Sequence, residues 1–384
     1  MIAQILHRDD ITLWKYLSDK YSHDFSGVYT NYLLEIRQVT NKLFNDSNLL
    51  LQEFFRTKSL LKIEKNNQSV DLIFLIDSLE KQINKFQELS LIKSNSLVEE
   101  ILYCINNYLQ VPEYKIGEKL FSFDKPYLMG ILNVTPDSFS DGGKYLTEDQ
   151  AVSHALEMIH DGADIIDIGG ESSRPGSEPI TADEEISRVI PVIQKILERK
   201  PEAIISVDTY KSKVAEIALQ SGAKIINDIS GFTFDPEIAD ICAHYNASVV
   251  LMHIKGTPKT MQLNPEYNEV VSEIYDFLHS QVIFARSKGI ENIIIDPGIG
   301  FGKSVRDNFS IIKRLKDFKS IGCPILIGVS RKSFIGKILN LEVDQRDLPT
   351  AAMEAVSIFN SARIIRTHNV KNGKQIIKLL SEII

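Results

Sequence analysis

The sequence predicts a (β/α)8 barrel of the TIM type, preceded by an N-terminal, mostly α-helical extra domain. Short apolar runs alternate regularly with longer amphipathic segments from Tyr127 to the C-terminus, and eight such runs occur. That part of the chain spans 258 residues (127–384), close to the roughly 250 residues of a typical barrel. An open doubly wound sheet rarely needs eight parallel strands in so regular a sequence.

Length and composition fit two domains, which we place at residues 1–115 and 120–384. The chain has 384 residues, of which 43% are hydrophobic and 24% charged, a composition typical of soluble globular proteins. The formal net charge of −8 argues against a general nucleic-acid-binding protein, although a basic pocket for an anionic substrate remains compatible with it.

Cysteine spacing and the N-terminal residues lead us to expect a cytoplasmic protein without membrane association. Cys104, Cys242 and Cys323 are far apart and form neither a CxxC pair nor a zinc-like pattern, so we expect core packing in a reducing compartment. Residues 1–10 lack the basic start and apolar span of a signal peptide, and no apolar run approaches the length of about 20 residues that a membrane span needs.

The N-terminal residues contain helical patterns and no chemical motif. Apolar residues recur at near-helical spacing in 69–89 and again in 97–109, although residues 71–77 are also compatible with a strand. We interpret the charged residues there as solvated helix faces, so the role of this region stays unknown. Residues 112–125 predict either a linker or the first hairpin of the next domain.

The first barrel strand, Leu128–Leu132, ends at Asn133 and passes into a polar loop with a proline and two glycines. A segment with helical character follows each apolar run. The other seven runs are Asp164–Ile168, Ala203–Val207, Ile225–Ile226, Ser248–Met252, Ile293–Ile295, Pro324–Ile327 and Arg363–Ile365.

Polar residues follow all eight runs, where a barrel carries its active site. A helix cap or a satisfied structural group explains any single one of them, Asp208 included, but not readily all eight. The eight are Asn133, Glu171–Arg174, Asp208, Asn227 with Asp228, His253 with Lys255, Asp296, Ser330–Lys332 and Arg366–His368.

These residues fall into two chemical sets. Asn133, Arg366, His368 and the donors of residues 138–143 suit a phosphate or pyrophosphate with its divalent metal. A second set, Asp208, Asn227, Asp296 and the nearby cation Lys332, suits a heterocycle rich in N–H donors, because buried carboxylates require hydrogen-bond partners.

Other motif matches fail. Residues 298–304 resemble a phosphate-binding P-loop, but its first glycine would fall on Pro297, and residues 167–172 lack the spacing of a dinucleotide loop. Neither a G-x-S-x-G elbow nor a cysteine at a strand end occurs. We therefore expect catalysis by electrostatics and positioning.

Longer motifs carry a family resemblance. They are residues 131–143 (ILNVTPDSFSDGG), 164–176 (DIIDIGGESSRPG), 206–209 (SVDT), 226–230 (INDIS), 251–258 (LMHIKGTP), 295–303 (IDPGIGFGK), 328–336 (GVSRKSFIG) and 366–368 (RTH). With these motifs in this order, residues 121–384 resemble the dihydropteroate synthase family, the folate-pathway enzymes that sulfonamides inhibit.

The resemblance implies condensation of 6-hydroxymethyl-7,8-dihydropterin diphosphate with 4-aminobenzoate to 7,8-dihydropteroate and pyrophosphate. It implies Mg²⁺ on Asn133 and catalytic roles for Asp137, Lys332, Arg366 and His368. Implied pterin contacts are Asp208, Asn227, Met252, Asp296, Phe301 and Lys332; implied pyrophosphate contacts are Arg174, Arg366 and His368; implied aminobenzoate contacts are Phe139, Ser173, Pro175, Lys332 and Ser333.

The family's mechanism is dissociative: pyrophosphate leaves first, and the amine attacks the resulting pterin cation. In this picture Asp137 and Phe139 belong to a lid that orders with substrate and excludes water. Ser333 stands at a helix start, where backbone N–H groups favour a carboxylate. The family also implies a homodimer built from helices near the C-terminus.

Two departures and two alternatives stay open. Ser173 stands where the family commonly has Thr, and the first 120 residues have no counterpart in family members that begin near the first barrel strand. A corrinoid-dependent, pterin-binding methyltransferase barrel would share the carboxylate set but lack the pyrophosphate contacts. A catalytically silent homologue that acts as a binding protein is the other alternative.

Overall fold

The computed structural model of the chain describes residues 1–7, 17–21, 32–54, 60–64, 68–76, 78–92, 95–135, 148–174 and 176–383. Two compact units compose it. Met1–Val111 and Lys313–Gly322 form the first, here the N-terminal unit, and Pro112–Ile312 with Cys323–Ile384 form the second, here the barrel unit.

A four-stranded antiparallel sheet lies in the N-terminal unit, so the prediction of a mostly helical region needs correction. Its order is β1-β2-β4-β3, with β1 Ile2–His7, β2 Tyr32–Thr40, β3 Leu60–Glu64 and β4 Ser69–Ile76. The helices are Asn41–Phe54, Leu79–Ile92 and Ser96–Leu109. The error arose at β4, which is buried along almost its whole length and so shows no clear alternation. The strand alternative for residues 71–77 is therefore the better prediction.

The two faces of this sheet differ in chemistry. Leu34 and Ile36 belong to an apolar cluster on one face, and alternation along β2 sends Glu35 and Arg37 to the other. Glu35 accepts hydrogen bonds from the Tyr21 hydroxyl at 2.5 Å and the Lys20 ammonium at 2.7 Å. Burial opposes ionisation of Glu35, but Arg37 and Lys20 outweigh it and hold its pKa at about 2. These charges are buried, unlike the solvated helix faces that we predicted.

The edge strand β1 is covered by a segment from much later in the chain. The 3₁₀ helix Leu315–Ile321 follows the helix Val305–Lys313 in sequence, yet it belongs to the N-terminal unit. The Ile5 N–H donates to the Ser320 hydroxyl at 3.4 Å, and the His7 N–H donates to Asp317 at 3.2 Å. Covering the free N–H groups of an edge strand in this way protects it from pairing with another chain.

The barrel unit begins with a hairpin, β5 Glu113–Ile116 and β6 Lys119–Ser122, one of the two alternatives predicted for residues 112–125. A closed barrel of eight parallel strands follows in chain order, which confirms the predicted fold. The strands are β7 Tyr127–Asn133, β8 Ile165–Gly169, β9 Ile205–Asp208, β10 Ile225–Asp228, β11 Ser248–Met252, β12 Ile293–Asp296, β13 Ile325–Ile327 and β14 Ala362–Thr367.

Helices connect the strands, as parallel pairing requires. They are Glu148–His160, Ala182–Arg199, Ser212–Gln220, Glu237–His244, Val270–Ser287, Val305–Lys313, Ser333–Leu339 and Asp347–Phe359, and Val370–Leu380 follows β14. No helix in the described ranges is long and apolar enough to cross a membrane. Cys104, Cys242 and Cys323 are buried free thiols, as their spacing predicts.

The hairpin closes one end of the barrel. Its Tyr114 and Phe121 lie in a buried cluster with one inward residue from each of several strands, for example Ile225 of β10 and Ile364 of β14. The Tyr114 hydroxyl also donates to the Ile293 carbonyl at 2.9 Å. Because these residues fill the end where the strands begin, the polar side chains beyond them are left to line the end where the strands finish.

Candidate active site

A second layer of side chains points into the barrel above this apolar cluster, because side chains alternate between the two faces of each strand. Side chains two residues apart on a strand share a face, so Ile225 in the cluster is followed inward by Asn227, and Ile364 by Arg366. The same step takes Ile165 to Asp167. The strand-end residues of the sequence analysis therefore meet in one place.

Arg366 lies at the centre of this layer and pairs with two carboxylates from neighbouring strands. Its Nε donates to Asp167 Oδ2 at 2.6 Å, and its Nη2 donates to Asp208 Oδ2 at 2.8 Å. Asn227 Nδ2 donates to the same Asp167 oxygen at 3.0 Å. Asp167 is fully buried, so this arrangement joins four strands through one carboxylate and one guanidinium.

Burial and mutual pairing set the protonation of this pair. Burial alone would lower the pKa of Arg366, but the Asp167 and Asp208 carboxylates outweigh it and raise that pKa. Burial raises the pKa of Asp208 to about 7, against the opposing charge of Arg366. We take the arginine as cationic, held in place by the Asp167 and Asp208 carboxyl groups.

Asp296 and Lys332 face an apolar wall. Asp296 accepts a hydrogen bond from the Gly298 N–H at 2.7 Å, and burial raises its pKa. Met252 and Phe301 belong to one buried apolar cluster, and the Lys332 ammonium lies 4.1 Å from the centre of the Phe301 ring. Burial, and then the neighbouring Arg366, lower the pKa of Lys332 to about 8. A flat ring with polar edges can pack on this apolar wall and direct its edge towards Asp296 and Lys332.

Lys303 holds the backbone beside this apolar wall. The sequence analysis did not predict a role for it. It is only 3% exposed, and its ammonium contacts three groups: the Phe301 carbonyl at 2.9 Å, the His253 carbonyl at 3.2 Å and His253 Nδ1 at 3.0 Å. Burial lowers the pKa of Lys303 to about 7 and that of His253 well below its usual value. The lysine thus joins the two loops that follow β11 and β12.

A cleft of about 480 Å³ opens beside this layer and brings most of the predicted site together. The loop after β8 lines the cleft with Ser173 and Arg174. Ser333 also lines it, from the first residue of the helix Ser333–Leu339, as predicted. Other predicted residues on the cleft wall are Asn133, Phe301, Lys332, Arg366 and His368. Asp208, Asn227, Met252 and Asp296 lie in the adjoining side-chain layer.

Within the predicted phosphate set, His368 is a neutral hydrogen-bonding group and not a cation. Burial, and then the positive charge of Arg366, lower its pKa to about 3, so the imidazole is neutral near pH 7. Its Nδ1 lies 3.0 Å from the Ser330 hydroxyl. His368 can therefore offer a hydrogen bond to an anion, while Arg366 and Lys332 supply the charge.

Some strand-end residues are structural. Asp228 accepts from the backbone N–H groups of Ser230 and Phe232, each at 2.7 Å, and so shapes a turn. Lys255 lies over the Tyr267 ring and bonds the Glu266 carbonyl. For Asp228 and Lys255 the interpretation as structural groups is therefore the better one.

Three predicted residues, Asp137, Phe139 and Pro175, lie outside the described residues, as does most of the predicted lid. Asp167 is the main residue that the sequence analysis missed. It stands inside the apolar run rather than after it, but its position two residues beyond the inward Ile165 is a usable signal.

Proteins of similar sequence identify the family of this chain. The family model described as pterin binding enzyme matches residues 129–368, which is more than half of the chain. A dihydropteroate synthase from Synechocystis is 45% identical over 272 residues, which cover 70% of this chain and 94% of that relative. The chain belongs to the dihydropteroate synthase family. Members of this family are transferases of folate biosynthesis, so the protein is an enzyme of that class.

Solved structures of dihydropteroate synthases agree with this assignment. The Yersinia pestis enzyme, solved with a sulfonamide drug, has a TM-score of 0.68 and 36% identity, and the match covers 71% of this chain and 98% of that one. The Xanthomonas albilineans enzyme, solved with 4-aminobenzoic acid, has a TM-score of 0.66 and 37% identity, with the same coverage.

Replacing Lys303 tests its role in holding the two loops. Lys303→Met leaves the Phe301 and His253 carbonyls without their donor, so we expect a loss of about 1–3 kcal/mol in the free energy of unfolding. Chemical denaturation followed by fluorescence measures it.

Lys259→Met is the matched control, because Lys259 forms an exposed pair with Glu178 and its loss should cost less than about 0.5 kcal/mol. Equal stability of the Lys303 and Lys259 variants would contradict the proposed support.

Proposed function

We propose that the protein condenses 6-hydroxymethyl-7,8-dihydropterin diphosphate with 4-aminobenzoate, giving 7,8-dihydropteroate and pyrophosphate. The observation that carries this proposal is the pairing of Arg366 with Asp167 and Asp208 at the base of a cationic cleft. It puts a carboxylate set and a cation set side by side, which suits a substrate with a donor-rich ring and an anionic leaving group.

The pterin ring is assigned to the apolar wall and the carboxylates near it. Met252 and Phe301 give a flat surface, and Asp296 and Asp208 give acceptors for ring N–H groups. Asn227 supplies an amide whose N–H group is already held by Asp167. Buried acceptors of this kind select a ring that carries matching donors, because an unpaired buried carboxylate is costly.

The diphosphate is assigned to Arg366, His368, Arg174 and Asn133 on the cleft wall. Arg366 can contribute charge and His368 a hydrogen bond. Since the leaving group gains negative charge as the C–O bond breaks, these donors stabilise the departing diphosphate more than the bound substrate.

Mg²⁺ fits this donor set only as a metal shared with the diphosphate. Among the described residues no group of three or more His, Cys, Asp or Glu side chains could hold an ion, and Asn133 offers a single neutral amide oxygen. Mg²⁺ commonly keeps several waters and binds substrate phosphates beside few protein ligands. Bound by Asn133 and the diphosphate oxygens, it would neutralise leaving-group charge.

The reaction then proceeds in two bond changes. The C–O bond breaks with its electron pair leaving on the diphosphate, and the carboxylates near the ring stabilise the pterin cation. The neutral amine of 4-aminobenzoate forms the C–N bond and afterwards loses a proton. We assign the aminobenzoate to Ser173, Lys332 and Ser333, which lie on the cleft wall, and sulfonamides would compete there. Asp137, Phe139 and Pro175 keep their assigned roles as proposals.

The proposed homodimer uses helices near the C-terminus, and we place the enzyme in the cytoplasm. Large apolar side chains are exposed on those helices: Leu348 is 83% exposed and Leu379 is 68% exposed. Exposed apolar groups on neighbouring elements mark candidate interfaces. The three buried thiols are consistent with a reducing compartment.

Arg366→Lys tests the proposed reaction. Arg366→Ala would leave Asp167 buried without its cation, so lysine is the better replacement because it retains a charge. Lysine cannot reproduce the two-pronged contact, and we expect kcat for 4-aminobenzoate-dependent pyrophosphate release to fall by at least about 100-fold. The control is Arg199→Lys at the exposed end of the helix Ala182–Arg199, where kcat should not change. Near-normal kcat in the Arg366 variant would refute the assignment, and its melting temperature shows whether the fold is kept.

Pterin binding should weaken in alkaline solution because Lys332 loses its proton. Its pKa is lowered to about 8, so the cation is present below that pH and lost as pH rises through it. We expect the Kd of the pterin substrate to rise between pH 7 and pH 9, as measured by calorimetry. In Lys332→Arg, whose side chain stays protonated because arginine has a pKa above about 12, that rise should become smaller, and any remainder would come from Lys303, whose pKa is about 7. A pH profile that is the same in both proteins would contradict this role.

Leu348→Glu tests the homodimer. A carboxylate at this position should convert the dimer to a monomer, as measured by sedimentation equilibrium, because burying an unpaired charge in an apolar interface is costly. Leu263→Glu is the control, since Leu263 is equally exposed, at 77%, in a loop of the barrel unit. A dimer that persists in the Leu348 variant would exclude this surface as the interface.

A further inference from the structure

The loop between β8 and the helix Ala182–Arg199 carries Ser173 and Arg174. The side chain of Glu171, at the start of this loop, binds the backbone at its other end. Glu171 opens this loop, and its Oε2 accepts a hydrogen bond from the backbone N–H of Ile180 at 3.1 Å. Thr181 then caps the helix through the Glu184 N–H. The two ends of the loop therefore meet at the Glu171 side chain.

Glu171 is in turn held by two consecutive residues that follow β9. The Tyr210 hydroxyl donates to Glu171 Oε1 at 2.5 Å. The Lys211 ammonium pairs with Glu171 and also with Glu185 of the helix Ala182–Arg199. Glu171 and Glu185 are 8% and 1% exposed at their side chains, and Lys211 is 17% exposed, so water screens these pairs little.

Two further hydrogen bonds lie within or beside the loop. The Ser177 hydroxyl donates to the Arg174 carbonyl at 2.8 Å, and the Gly176 N–H donates to the Pro258 carbonyl at 3.1 Å. Ser173 and Arg174 follow Glu171 in the chain by two and three positions, so a shift at Glu171 would move them relative to the cleft. Small displacements of this kind in a substrate-holding loop are expensive for catalysis.

We propose that Lys211 is a positioning residue for the aminobenzoate side of the active site, acting through Glu171 on the loop of residues 171–180. It touches neither substrate. It fixes the loop that carries Ser173, while the pterin carboxylates Asp208 and Asp296 have other partners. This inference rests on the proposed function, because it assigns a selective effect to one of the two proposed substrates.

Two-substrate kinetics of Glu171→Gln test it. The amide keeps the size of the carboxylate but has no charge and only one accepting oxygen. It therefore loses the ion pair with Lys211 and cannot accept from Tyr210, Lys211 and Ile180 together. We expect the KM for 4-aminobenzoate to rise by about tenfold or more. The KM for the pterin diphosphate should rise by a smaller factor, because Arg174 is only one of the four residues assigned to the diphosphate and the pterin carboxylates keep their partners. Lys211→Met should show the same split. It also removes the pair with Glu185, so the double variant should be no worse than Lys211→Met alone, because the Lys211–Glu171 contact is already lost in that variant. Lys213→Met is the matched control, since Lys213 forms an exposed pair with Asp183 and should leave both KM values unchanged.

Hydrogen exchange gives a second readout that does not depend on activity. The Ile180 amide donates to Glu171, so its exchange should be faster in Glu171→Gln and Lys211→Met than in the wild type and Lys213→Met. Equal rises in both KM values, or unchanged KM values, would overturn the positioning role. Unchanged exchange of the Ile180 amide would show that the Glu171 carboxylate does not hold the two ends of the loop together. Failure of the proposed function would show differently, as a wild-type protein that releases no pyrophosphate with 4-aminobenzoate.

Discussion

The ion pairs between Arg366 and the carboxylates Asp167 and Asp208 are the interaction on which the rest of the site depends. They join β14 to β8 and β9, and through Asn227 they reach β10. Removing one partner of a buried pair typically costs about 3–5 kcal/mol, because the other charge is left unpaired. The cation that we propose to act on the leaving group is therefore also a structural one. The two carboxylates fix its direction, so little reorganisation would be needed when a leaving group takes up charge.

Charge balance in the barrel mouth follows from the same burial. The surrounding protein shields these side chains from solvent, so burial raises the pKa of Asp208 and Asp296 and lowers the pKa of Lys303 and Lys332. Each shift weakens the charged form, yet carboxylates and cations lie close enough to compensate one another. A ligand with N–H donors on one edge and a strongly anionic tail can use both signs at once. A neutral apolar ligand could use neither, and the charged groups would lose their hydration without recompense.

Sequence reasoning located the barrel well because each parallel strand is a short, buried apolar run, and the polar residue after each run marks the functional end of the fold. It did less well where a residue's role depends on a distant contact. Lys303 follows three glycines in one loop, and its role becomes visible only when the His253 carbonyl is beside it. The cover of β1 by Ser320 joins residues 315 positions apart, which local periodicity cannot detect. In the N-terminal sheet, buried strands such as β4 resembled helices because both faces are covered.

The end of β9 shows how one short segment can coordinate both halves of the site. Asp208 holds Arg366, the Tyr210 ring packs against the apolar cluster that contains Met252 and Phe301, and Lys211 holds Glu171. These three residues lie within four positions of one another, so a displacement of the segment would disturb the leaving-group cation, the ring pocket and the loop together. The buried ion pairs at either end of the segment resist such a displacement, since each would have to break in a poorly solvated environment. In the proposed reaction both substrates are therefore positioned relative to one rigid element. This gives their reacting atoms a common reference although different loops would bind each of them.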